Sequence, residues 1–145
     1  MTHHNFTRKI LLAVALTVGA TGLVQAETVK LKAALSTASE VPAVSGSGSG
    51  TMDGTLDTAS NMLKWKLTYS GLSGPASAAH FHGPAAAGQN AGVVVPFKSA
   101  ASPIEGEATL TAAQSADLMA GKWYANVHTA ANPGGEIRGQ VERAK

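Results

Sequence analysis

Between Leu63 and Tyr69 apolar and polar residues alternate without a break: Leu63, Trp65, Leu67 and Tyr69 have one parity, and Lys64, Lys66 and Thr68 the other. A helix repeats its faces every 3.6 residues and would scatter this pattern. A strand, whose side chains alternate, places the apolar set on a core and the lysines in water. Val29, Leu31, Ala33 and Leu35 alternate with Lys30, Lys32 and Ala34 in the same way. Further strands are expected over 51–56, 77–82, 93–97, 105–110, 123–129 and 136–142. Turn-forming clusters separate them at 45–50, 73–75, 83–84 and 132–135. Many short strands divided by turns predict an all-β domain, an antiparallel sandwich or barrel with Trp65, Tyr69, Phe81 and Trp123 in its core. One short connecting helix near 112–120 interrupts the strands. Thr111 and Gln114 have the spacing of a capping box, Leu118 and Met119 give the helix an apolar edge, and Gly121 is its stop.

The first 26 residues read as a secretory signal peptide. Arg8 and Lys9 precede an apolar run over 10–18, and Val24-Gln25-Ala26 supplies small residues before a cut ahead of Glu27. The run falls short of the roughly 20 residues that span a bilayer, and no later segment is long and apolar enough. The expected organisation is a signal peptide over 1–26 and one domain over 27–145, periplasmic or secreted. Loss of Arg8 and Lys9 reduces the 11 basic side chains to nine, against nine acidic ones. A domain near neutrality, with no basic patch interleaved with aromatics, excludes nucleic acid as a partner. The chain has no cysteine. An exported domain of this kind relies on its core, with or without help from a metal.

Three histidines lie in the expected domain. His80 and His82 are spaced i, i+2, so on a strand they leave the same face, and His128 lies in another strand segment. Three imidazoles with an open position suit copper or zinc. Asn126 shares the parity of His128 and is placed, with Glu136, as a support to the ligands. The turn at 132–135 folds the last strand back and brings Arg138 near His128. Two alternatives stay open: the histidines serve as structural residues hydrogen-bonded to backbone, and Arg138 pairs with Glu136. No Gly-x-Ser-x-Gly elbow or paired carboxylates point to a hydrolase.

Glu40-Val41-Pro42, Gly71-Leu72-Ser73-Gly74, Ala79-His80-Phe81-His82-Gly83-Pro84 and the long block from Tyr124 to Gln140 occur in this order. Together they resemble the CHRD domain, named from the animal protein chordin and common in exported bacterial proteins. The resemblance covers nearly all of the mature chain. It implies little about activity, although the place of CHRD domains in a secreted signalling antagonist implies a protein-interaction role and a protein partner. A second likeness is mechanistic. Gly71-Leu72, His80-x-His82-Gly83, a late histidine and Gly134-Gly135-x-x-Arg138-Gly139 are similar in layout to Cu/Zn superoxide dismutase, a Greek-key β-sandwich. That likeness implies copper ligation by His80, His82 and His128 and anion steering by Arg138. A bridging histidine, a zinc cluster and a disulfide are missing, so only the copper half is matched. The fold expected is thus a Greek-key sandwich or barrel, superoxide-dismutase-like or immunoglobulin-like. The functions expected are metal binding, an interaction module without metal, or a copper-only redox enzyme.

Overall fold

The alternating segments form strands in a computed structural model that describes Met1 and residues 25–145. The expected signal peptide falls almost wholly outside the described residues, as do His3 and His4. Chain order is β1 (Thr28–Ser36), β2 (Ser49–Asp57), β3 (Met62–Ser70), β4 (Ala76–His82), β5 (Val93–Pro96), β6 (Ile104–Thr109), α1 (Ala112–Met119), β7 (Tyr124–Thr129), β8 (Ile137–Gln140) and β9 (Glu142–Arg143). A single turn of 3-10 helix, Thr37–Ser39, follows β1.

All strands join one antiparallel sheet in the order β5-β4-β7-β8-β1-β2-β3-β6, with β9 also paired to β1. The two ends of that order face each other across a groove lined by Pro96 and Lys98 on one side and Glu105, Gly106 and Glu107 on the other. The sheet is therefore a nearly closed barrel, not two separate layers. Its interior takes the apolar parity of each strand: Val29, Leu31 and Leu35 from β1, Leu63 and Leu67 from β3, Phe81 from β4, and Val127 from β7 are all buried. Each such side chain contributes about 1.5–3 kcal/mol through burial.

Trp65 and Gly106 face each other across β3 and β6. A Cβ on Gly106 would come within 2.3 Å of the Trp65 ring, so this glycine leaves the space that the indole occupies. The indole continues into Phe81 and Phe97, with ring centroids 5.1 and 5.0 Å away. Helix α1 begins as expected. Thr111 Oγ1 accepts from the Gln114 amide at 3.1 Å, and the Thr111 amide donates to Gln114 Oε1 at 2.9 Å. Gly121, at φ 72°, lies just beyond its end. Among the described residues no helix is long and apolar enough to cross a membrane.

The last expected strand, 136–142, is instead two. Residues of β8 pair with β7, whereas β9 pairs with β1. Between them Val141 is fully buried, and its amide donates to the Trp123 carbonyl at 2.8 Å. The chain changes neighbours there, so its pairing cannot run on unbroken.

Candidate metal centre

All six residues of β7 are buried. Ala125 and Val127 enter the apolar core. Tyr124, Asn126 and His128 have the other parity and point outward. Register aligns outward residues across three strands: His80 with Asn126 and Arg138, His82 with Tyr124 and Gln140, and Ala78 with His128. Phe81, between the two β4 histidines, is fully buried on the opposite face. The outer face of β4, β7 and β8 is thus a second, polar interior. Segments around Glu40, residues 83–92 and residues 129–136 cover it.

Here the three histidines converge. Each offers one ring nitrogen such that the three nitrogens lie within 4.8 Å of one another. His80 Nδ1 and His128 Nε2 are 3.1 Å apart. His82 Nδ1 is 3.0 Å from the Ala91 carbonyl, and His128 Nδ1 is 2.9 Å from the Pro133 carbonyl. A carbonyl only accepts, so each of these Nδ1 atoms carries the proton and each Nε2 is the acceptor nitrogen, that of His128 accepting from His80 Nδ1. His82 Nε2 is buried and has no hydrogen-bond partner. An orphaned buried acceptor beside two further imidazole nitrogens fits a set of metal ligands, and a backbone carbonyl on the remote nitrogen is the usual support of a ligating histidine.

Electrostatics favour the neutral, ligating form of His80 and His82. Burial, then the neighbouring His128 and His82, hold His80 below its ordinary pKa of 6.5. Burial also lowers His82. The Ala91 hydrogen bond opposes this, while His128 and the Arg138 cation reinforce it.

Of the supporting residues expected, Asn126 is 2 % exposed and donates to Glu40 Oε1 at 2.5 Å. Burial raises the Glu40 carboxyl to about 7 against the opposing pull of Arg138 and Asn126. Glu136 is buried and does not pair with Arg138. Its carboxylate accepts from the Ser73 amide (2.6 Å), Ser73 Oγ (2.6 Å), Thr129 Oγ1 (2.5 Å) and Asn132 Nδ2 (3.0 Å). Burial would raise its pKa, but these donors outweigh it and hold the group at about 2. Glu136 thereby fastens the turn that carries the Pro133 carbonyl to His128. Arg138 is only 2 % exposed and does not present its guanidinium to solvent. It donates to Asn90 Oδ1 at 2.8 Å and to the Gln89 carbonyl at 2.5 Å.

Glu40, Tyr124, Asn90 and the two carbonyls belong to the site without having been singled out for it. Tyr124 was within reach, since it shares the parity of Asn126 and His128. A family model described as the CHRD domain matches residues 31–141. No curated protein and no solved structure matches the chain.

Proposed function

We propose that this chain, which belongs to the CHRD family, binds one transition-metal ion, copper or zinc, through His80, His82 and His128. One observation carries the reading. Two imidazoles have their Nδ1 protons fixed by backbone carbonyls, and the Nε2 of one of them, His82, is buried with no partner beside the other two rings. Imidazole nitrogens about 2.0–2.1 Å from a shared ion lie about 3.3 Å apart in tetrahedral geometry. The 3.1 Å between His80 Nδ1 and His128 Nε2 is already close to that. His80, the most open of the three, gives the ion its way in. Three neutral ligands leave a position for water or a small ligand. Nothing at the site supplies a second metal or an exposed guiding cation, so a carrier or a metal-stabilised module is favoured over a superoxide dismutase.

The domain works outside the cytoplasm, a reading supported by the charged and apolar segments of the leader and by Val24-Gln25-Ala26. Elemental analysis of protein taken from its native compartment tests both parts. Copper or zinc near one equivalent is expected in wild type and its loss in His80→Ala, with an intact mass beginning at Glu27. Metal-free protein that takes up neither ion on titration overturns the site. An uncut leader on recovered protein overturns the export.

A further inference from the structure

We infer that Arg138 is a positioning residue for His82: it grips the 83–92 loop so that the Ala91 carbonyl holds the His82 ring in its metal-ready tautomer. The inference rests on the three-histidine reading but makes a separate claim. Ala85 is tied through its backbone, its amide to the Lys122 carbonyl at 2.8 Å and its carbonyl to Gln140 Nε2 at 2.9 Å, but residues 86–88, Ala-Ala-Gly, have no polar side chain with which to anchor the loop. The loop is closed at its base by the Gly83 amide on the Gly92 carbonyl, 3.1 Å. Its far end is held by the Arg138 fork, with Nη1 on Asn90 Oδ1 and Nη2 on the Gln89 carbonyl. Asn90 Nδ2 in turn donates to the Val41 carbonyl at 2.9 Å.

The next residue, Ala91, is where the loop meets the site. Its carbonyl accepts from His82 Nδ1 and from the Tyr124 hydroxyl, and its amide donates to that hydroxyl. Tyr124 links the same two partners through its ring. The His82 ring stacks parallel to it at 4.8 Å, and the Arg138 guanidinium lies 3.5 Å from its centroid. Arg138 thus touches the loop and the tyrosine that flank His82, and acts on the ligand through both. A planar fork that takes two acceptors while stacking on an aromatic face is a task for arginine and not for lysine. Among the described residues no carboxylate comes within salt-bridge distance of this buried cation, and Glu40 acts on it only at longer range, so its close polar partners are those of the 83–92 loop.

The test compares wild type with Arg138→Met, Arg138→Lys and Asn90→Ala. Asn90 is an exposed loop residue, so its variant keeps the test open if the buried substitutions fail to fold. Nitrogen-15 NMR of metal-free protein reads the tautomer of each ring, and competition with a chelator reads zinc affinity. In Arg138→Met the His82 Nδ1–H tautomer should be lost while that of His128, held by Pro133, persists. Zinc affinity should fall about 10- to 100-fold, the usual effect of disturbing a ligand's support. Arg138→Lys should recover little, and Asn90→Ala should move both readouts in the same direction by less. An unchanged His82 tautomer and affinity would overturn the inference, as would loss of both tautomers together, which marks general loosening. Failure of wild type to bind zinc would refute the metal site, and the tautomer readout would still decide the role of Arg138.

Discussion

Replacing His82 by alanine separates what the ring does for the metal from what it does for the fold. In the metal-free protein the variant loses the hydrogen bond to Ala91, about 1 kcal/mol, and the stack on Tyr124, about 0.5–1.5 kcal/mol. It also removes the unpartnered buried Nε2, whose desolvation costs about 1–3 kcal/mol. These terms oppose one another, so metal-free stability should change by no more than about 1.5 kcal/mol in either direction. The metal increment does not cancel. An ion at a hundredfold excess over Kd adds about 2.7 kcal/mol to a folded state that alone binds it. An unfolding entropy of about 2.1 cal/mol/K per residue over the roughly 120 residues of the described domain turns this into roughly 11 °C in Tm. Thermal melts with and without copper or zinc should show that rise in wild type and only a few degrees in His82→Ala. Acid should erode the effect in a defined direction. The folded pKa values of His80 and His82 lie below the ordinary 6.5, so the unfolded chain takes up protons first. Their contribution is present above pH 6.5 and is lost as pH falls through the lower folded values. Because the ligands must also be neutral, the metal-induced rise shrinks below about pH 6. Equal rises in wild type and variant, or a rise that grows in acid, would refute the reasoning.

Glu136→Ala strands the buried Thr129 hydroxyl and removes the part-buried hydrogen bonds from Ser73 and Asn132; at about 1–3 kcal/mol for the buried donor and about 0.5–1.5 kcal/mol for each of the others, urea denaturation should show a loss of about 2 kcal/mol or more, and a loss under about 1 kcal/mol would count against the hub. Glu40, raised from 4.5 to about 7 in the fold, keeps a proton that the unfolded chain gives up. Its contribution is therefore full below pH 4.5 and lost as pH rises through about 7, so Glu40→Gln should flatten that decline, and an unaltered stability profile would exclude it. Gly106→Ala drives a methyl group against Trp65 and should cost about 1–3 kcal/mol, read as a lower Tm with a shifted tryptophan emission; a neutral result would mean that the indole is free to move.

The strands were legible because parity is local: one face of β3 must be Leu63, Trp65 and Leu67 if the lysines are to stay wet. The capping box at Thr111 and Gln114 is equally local. The break at Val141 was not legible, since it depends on β8 and β9 having different partners far away in the chain. The closing of one sheet into a barrel likewise depends on which strands meet, and alternation is silent on that. In the site, i, i+2 spacing placed His80 and His82 on one face and parity added Asn126. The carbonyls of Ala91 and Pro133 left no trace, because every residue has one. Glu136 and Arg138 looked like partners because they are opposite in charge and two apart. Residues 73, 129 and 132 surround the first, and residues 89 and 90 claim the second.

The pairing of the first strand with the last two fixes an order of events. As the chain emerges, β1 comes first and can pair along its length with β2, which in turn pairs with β3. Its other flank stays bare until residues 138 and 142–143 arrive. The histidines follow the same calendar. His80 waits 48 residues and His82 46 for His128, and the turn that holds His128 comes later still. An ion gripped by all three would therefore report that the chain has passed the turn at 132–135, because no chain that stops short of His128 contains the site.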